Sequence, residues 1–277
     1  MISVYGAYGF VGSNFCNKFS KECSIISKES NTPKTENILY FISTIDNYNI
    51  HSDPYLDINT NLIKLISVLE ECKKFKLHDK NVVFNFISSW FVYGKIDKVP
   101  ASEEMHCNPT GFYSITKYAA EKMLISYCET FGINYRILRL TNIIGRGDKK
   151  ASKKKNAIQY MIQCLQKNNP ITIYDDGSNI RDLMDVDDCC DAIKICLDNA
   201  PLNDIINISN NEPLSIGKVL EYAKTKLKSH SEIEYISAPE FHQIVQIKNM
   251  WLTNDKLLSY GYLPKTTVFQ AVDKILE

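Results

Sequence analysis

The sequence predicts an α/β protein: a doubly wound parallel sheet followed by a smaller C-terminal lobe. Three observations predict it. Apolar runs such as "ILYFIS" (Ile38 to Ser43) and "NVVFNFISS" (Asn81 to Ser89) are too continuous for half-exposed strands, and they alternate with stretches of helical period. Strands apolar on both faces belong to parallel sheets covered by helices on each side. A glycine triplet, Gly6-x-x-Gly9-x-x-Gly12, stands where the first strand gives way to the first helix. After Gly145 the alternation loosens, so the rest of the chain reads as a second, smaller unit.

Taken in order, the strand in "ISVYG" breaks at Gly6, and Phe10, Val11, Phe15 and Phe19 then mark one apolar helix face. A short strand, "SIISK" (Ser24 to Lys28), precedes polar "ESNTPKTEN" and the strand Ile38 to Ser43. A helix over about Asn59 to Lys74, the strand Asn81 to Ser89, a helix over about Tyr113 to Phe131 and a strand "YRILRLTNII" (Tyr135 to Ile144) continue the pattern. Beyond it, "GRGDKKASKKKN" reads as a charged, solvated loop. A helix over about Ala157 to Lys167, a strand in "ITIYDDG", the segment "NIRDLMDVDDCCDAIKICL" and a strand in "DIINIS" follow. The last of these is expected to rejoin the main sheet. The first unit is therefore residues 1–145 with about 182–209, and the second lobe is 146–181 with 210–277.

Composition narrows the class. At 277 residues and 44% hydrophobic, the chain can bury a sizeable core. Its 32 basic residues balance 32 acidic ones, so no global field exists to hold nucleic acid or an anionic membrane, and neither partner is expected. The nine cysteines show no C-x-x-C and no companion histidine spacing, which points to reduced core residues and no metal. No leader-like segment precedes the first strand and no apolar run nears the ~18 residues that cross a bilayer, so a cytoplasmic protein is expected.

Three constellations carry chemistry. Glycines at a strand-to-helix turn let the backbone approach a pyrophosphate, which the free N–H groups of the helix end can bind. At the end of the second strand, an acid would hold the ribose hydroxyls of a dinucleotide; Lys28, beside Glu29, could instead meet a 2′-phosphate, which leaves the cofactor open between NAD and NADP. Ser88 and Ser89 end a buried strand at the carboxyl edge, where parallel sheets bind ligands.

Tyr113 and Lys117 lie one helical turn apart in "GFYSITKYAAEK", a spacing that recurs at Tyr118/Lys122 and Tyr222/Lys226. Tyr118 is rotated by about 140° from Tyr113 and cannot share its site. Tyr222 falls in the second lobe. Tyr113 and Ser89 can reach the same sheet edge, where a neighbouring ammonium is expected to lower the phenol's affinity for its proton and fit it for exchange with a substrate hydroxyl.

In order along the chain, the glycine loop, "YLDINTNLIKLISVLEE", "ISSWFVYG", "YSITK", "LRLTNIIGRGD" and "IRDLMDVDD" resemble the motifs of the extended short-chain dehydrogenases/reductases, in the nucleotide-sugar epimerase/dehydratase branch. The resemblance covers nearly the whole chain. It implies a Rossmann-type fold, NAD or NADP as cofactor, a nucleoside-diphosphate sugar as substrate, and a homodimer paired through the helices at about 59–74 and 113–131. It implies Ser89, Tyr113 and Lys117 as the catalytic set, with Lys117 also bonding the nicotinamide ribose. Gly6, Gly9, Phe10, Val11, Gly12, Lys28 and Ser43 complete the implied cofactor site. Ser89, Trp90, Asn142 and Arg181 form the implied substrate site, Arg181 gripping the diphosphate with its planar fork. Asn59 is the implied structural residue near the site, and Asp185 to Asp188 cap the helix that follows them.

Two departures bear on function. Members that eliminate water from the sugar carry acids in the two positions after the catalytic serine; here these are Trp90 and Phe91, which argues against 4,6-dehydration and against decarboxylation. The family's third strand and its helix are also missing, and about nine residues, Glu29 to Asn37, span the gap; at ~3.3 Å per residue they reach about 30 Å, enough to recross a sheet. The adenine pocket is thereby thinned. The expected activity is a nucleotide-sugar 4-epimerase, with an NADPH-dependent 4-keto-sugar reductase as the alternative. A binding protein without catalysis has no use for an intact Ser89, Tyr113 and Lys117.

Overall fold

In the computed structural model, which describes residues 1–76, 81–245 and 247–277, the first half of the chain alternates strand and helix. β1 (Ile2–Tyr5) is buried along its length, and α1 (Phe10–Lys18) buries Gly12, Phe15 and Cys16. β2 (Cys23–Ile25) and β3 (Asn37–Tyr40) flank β1 in parallel register. A 3₁₀ turn at Asn47–His51 leads through α2 (Tyr55–Asp57) and a π-helical stretch at Ile58–Ile63 into α3 (Lys64–Lys76). β4 (Val83–Ser89) closes in a 3₁₀ turn at Trp90–Tyr93, and α4 (Phe112–Phe131) and β5 (Asn134–Leu140) follow.

The strand expected over Tyr135 to Ile144 is two strands. It breaks at Thr141, whose N–H donates to the Ile208 carbonyl at 3.0 Å while its hydroxyl donates to that of Asp182 at 2.9 Å. One residue thus bonds two directions at once, and β6 (Asn142–Ile144) crosses into another sheet. The later chain supplies α5 (Ala157–Gln166), β7 (Ile171–Tyr174), β8 (Ile180–Asp185), α6 (Val186–Asn199), β9 (Asp204–Ile208), β10 (Pro213–Ser215), α7 (Ile216–Leu227), β11 (Ile233–Ile236), α8 (Glu240–Val245), α9 (Asp255–Ser259) and α10 (Val268–Leu276). Asp185 caps α6, accepting from the Asp187 N–H at 3.1 Å.

The main sheet is six strands, all parallel, in the order β2-β1-β3-β4-β5-β9. "DIINIS" does rejoin it, as its outer strand. One face packs Val4, Leu39, Leu138 and Ile206 against α1 and α6; the other packs Tyr40, Phe84, Phe86 and Ile137 against α3 and α4. Two small sheets, β10-β8-β6 and β11-β7, complete the strands, and α5, α7 and α10 share a core with Ile144 and Leu183.

The shortened connection is visible as a strap. After the Ile26 N–H bonds the Val4 carbonyl, the chain turns and runs back across the sheet face without a helix. Ser3, a fully buried polar residue in an otherwise apolar strand, accepts the N–H groups of Lys34 and Thr35 at 2.9 and 2.8 Å. Tyr5 donates its hydroxyl to the Asn31 carbonyl at 2.7 Å. These side chains satisfy backbone groups that a helix would have satisfied internally.

Candidate active site

The glycine turn forms a cradle at the carboxyl end of β1. Gly6 holds φ at +77°, a conformation open to glycine, and the Gly9 N–H donates to its carbonyl at 3.0 Å. A Cβ at Gly12 would stand 2.5 Å from that same carbonyl oxygen. Gly9 is the N-cap of α1 and offers no side-chain cap, and the first turn carries no acid, so the N–H groups of Phe10, Val11 and Gly12 have no intrahelical acceptor. Phe10 and Val11, both half-buried, pack against the core. A close-approach backbone with a positive helix end fits a dinucleotide pyrophosphate.

Just beyond β2, Lys28 is exposed, and two further lysines bond the backbone of this stretch. Lys64 of α3 donates to the Lys28 carbonyl at 3.2 Å and to Asn31 Oδ1 at 2.6 Å, and Lys34 of the strap reaches the Ile25 carbonyl at 3.3 Å.

Ser89, Tyr113 and Lys117 come together at the carboxyl edge of β4 and the start of α4. Ser89 ends the strand, and its hydroxyl accepts the Phe91 N–H at 3.3 Å, capping the turn that follows. Tyr113 is buried, with the hydroxyls of Ser89 and Ser43 facing its phenol. Lys117 is buried one turn further on, its ammonium 4.2 Å from the centre of the Phe86 ring. Of the other two pairs, Tyr118 lies under the Lys122 ammonium and Tyr222 bonds Asp273 in the second lobe at 2.9 Å.

The electrostatics correct one expectation. Burial pushes the Tyr113 phenol up to about 12, against the lowering influence of the Ser89 and Ser43 hydroxyls and with that of the Asp57 charge. Burial also pushes the Lys117 ammonium down to about 7, opposed by Glu121. Burial is the largest influence at both groups, and it disfavours the charged form of each.

A second correction concerns the helix before the site. Asn59 is exposed, and Asn61 takes the inward position. Its Oδ1 accepts from the Thr44 N–H at 2.9 Å and the Ser43 hydroxyl at 3.1 Å; its Nδ2 donates to Thr44 Oγ1 at 2.8 Å and Thr116 Oγ1 at 3.0 Å. One side chain joins the end of β3 to α4 behind Tyr113. The wide π turn, in which the Lys64 N–H bonds the Asn59 carbonyl, re-aims the residues it contains. No pattern of apolar residues announces such a turn.

Aromatic rings fill the positions after Ser89. Trp90 stacks on Phe91 with centres 3.9 Å apart, and Phe91 meets Tyr113 edge-on at 5.9 Å. Arg181 lies 5.3 Å over Trp90 and donates to the carbonyls of Ile180, Ile247 and Lys248 at 2.7 to 2.8 Å. Among the described residues its partners include no carboxylate, and burial alone lowers its guanidinium to about 10. Asn142, half-buried on β6, donates to the Asp182 carbonyl at 3.2 Å.

A glycine turn without a side-chain cap and a half-buried serine beside a buried Tyr–Lys pair, all on one edge of a parallel sheet, mark a short-chain dehydrogenase/reductase. The chain belongs to the NAD dependent epimerase/dehydratase family, whose model matches residues 38–209. It is 26% identical over 252 residues, 91% of this chain and 79% of the other, to a Methanocaldococcus jannaschii protein provisionally named UDP-glucose 4-epimerase. Among solved structures it is similar to a Thermotoga maritima UDP-glucose 4-epimerase determined with UDP-glucose (TM-score 0.88, 21% identity, 99% of this chain and 97% of that one). It is also similar to RMD of Pseudomonas aeruginosa, complexed with NADPH (TM-score 0.84, 20% identity, 99% and 97%). Among the described residues no helix is long and apolar enough to cross a membrane.

Proposed function

We propose that the protein is an NAD(P)-dependent nucleotide-sugar 4-epimerase acting on a uridine diphosphate hexose. The observation that carries this reading is the Ser89, Tyr113 and Lys117 set beside the glycine cradle, followed by rings where a water-eliminating enzyme needs an acid. When bound, the nicotinamide cofactor supplies the hydride acceptor and donor. Tyr113 takes the proton of the C4 hydroxyl and later returns it. Ser89 hydrogen-bonds the C4 oxygen in both its alcohol and ketone forms, and the Lys117 charge favours the phenolate while the proton is away. Arg181, buried without a carboxylate among its described partners, is assigned to the diphosphate, and Asn142 to its approach.

Incubating the purified protein with UDP-glucose and following the sugar's ring-proton couplings by NMR tests the reading. Epimerisation yields an inverted C4 with no net change in cofactor absorbance. Stoichiometric loss of NADPH absorbance with a 4-keto sugar nucleotide, and no epimerisation, replaces it with the second reading, a 4-keto reductase. The observation favouring that alternative is the convergence of Lys28, Lys34 and Lys64 at the end of β2, which suits a 2′-phosphate.

The protein is further assigned to the cytoplasm and to a homodimer. Ile63 of the π stretch and Ile115 and Phe131 of α4 remain between 41% and 53% exposed, and Ile66, Met123 and Tyr127 line the groove between α3 and α4. A second copy packing there would cover them.

A further inference from the structure

Glu121 takes no part in the chemistry above, yet it is 1% exposed in the middle of the helix that carries Tyr113 and Lys117. Both of its oxygens are engaged. Oε1 accepts from Arg139 Nε at 3.1 Å and from the Ser88 hydroxyl at 2.5 Å, and Oε2 accepts from Arg139 Nη2 at 2.7 Å. Arg139, on β5, lies 4.7 Å over the Tyr93 ring, and Tyr93 donates to Asn207 Oδ1 at 2.7 Å. The carboxylate is therefore locked from β4, β5 and its own helix at once.

Stability does not account for such a pair. Two buried charges pay a desolvation cost that their attraction seldom exceeds, and apolar residues of the same volume usually serve as well. Location is what sets it apart. Lys117 stands four residues before Glu121, one turn away on the same face, with the Phe86 ring on its other side. Ser88, the third ligand of the carboxylate, is the residue before Ser89.

We propose that Glu121 is a positioning residue for the proton relay: clamped by Arg139 and Ser88, its carboxylate keeps the Lys117 ammonium charged in the buried space behind Tyr113 and holds the end of β4 in line. The role it serves rests on the function proposed above; the electrostatic coupling does not. Among the described residues, Glu121 is the charge that opposes the effect of burial on Lys117. The other groups around the pair are the Phe86 ring on β4, the Tyr93 ring and Cys107 thiol before α4, and the exposed Lys122 one residue on.

The test reads Lys117 directly. In protein carrying isotope-labelled lysine, the Lys117 side-chain NMR signal, assigned by its loss in K117M, is titrated in wild type, E121Q, E121D and E121M/R139M. The double variant matters because E121Q leaves Arg139 buried without a counter-charge, whereas two methionines fill the space with neither charge. The inference expects the Lys117 midpoint to fall by about one pH unit in E121Q and in E121M/R139M, and to stay near wild type in E121D. The alkaline limb of kcat/KM should move with it. A folded E121M/R139M whose Lys117 midpoint matches wild type overturns the inference and leaves a structural pair. If the midpoint shifts while no sugar nucleotide is turned over, the proposed function fails and the coupling stands.

Discussion

Burial opposes charge at both ends of the Tyr113–Lys117 pair, and each residue makes its own prediction. Lys117 binds its proton less tightly folded, with a value of about 7, than unfolded near 10.5. The unfolded chain then holds more protons between those values, so this lysine costs the protein stability below about pH 7, and the cost disappears as pH rises towards 10.5. Lys117→Met should therefore stabilise the cofactor-free protein by on the order of a few kcal/mol at neutral pH. Urea unfolding at pH 7 and pH 10 checks it, and the gain should shrink at the higher pH. Tyr113→Phe keeps the ring and removes only the proton carrier. Turnover should fall by about 100-fold or more while affinity for sugar nucleotide, measured by calorimetry, stays within a few-fold. Arg181→Lys retains charge but loses the fork, and KM for the sugar nucleotide should rise by about tenfold with kcat less affected.

At the scale of elements, the π stretch and the strap are two places where the chain departs from regular strand-helix alternation. Asn61→Ala breaks four hydrogen bonds linking the end of β3 to α4 and should cost about 1–3 kcal/mol, whereas Asn59→Ala, at an exposed position, should be close to neutral. Thermal unfolding of the two variants side by side decides between the register seen here and the one implied by motif resemblance. The strap depends on Ser3 in the same way. Its hydroxyl is the acceptor for two strap N–H groups, which gives a polar side chain a place in a short, buried strand.

At the scale of the molecule, apolar side chains of α3 and α4 are left at the surface, among them Ile66, Met123 and Phe131 at the groove between the two helices. Met123→Glu places a charge in the groove between those helices. Sedimentation should show wild type at twice the chain mass and this variant at once the chain mass, with the melting temperature of the monomer little changed. A wild type that sediments as a monomer removes the assignment.

Much of this architecture was legible beforehand. Gly6, Gly9 and Gly12 at a strand end, apolar strands in alternation, and Tyr113 one turn before Lys117 are local patterns fixed by sterics and helical period, so the parallel sheet and the edge where these residues lie could be read from residue order, while the shortened connection showed only against the family's motif order. Thr141 splitting one apolar run between two sheets, Asn61 displacing Asn59 across a π turn, and Glu121 locked to Arg139 are decided by partners distant in the chain. Hydrogen bonds and buried charges take their meaning from which groups the fold brings within 3 Å, and desolvation, which sets the direction at Tyr113 and Lys117, depends on how completely other segments cover them.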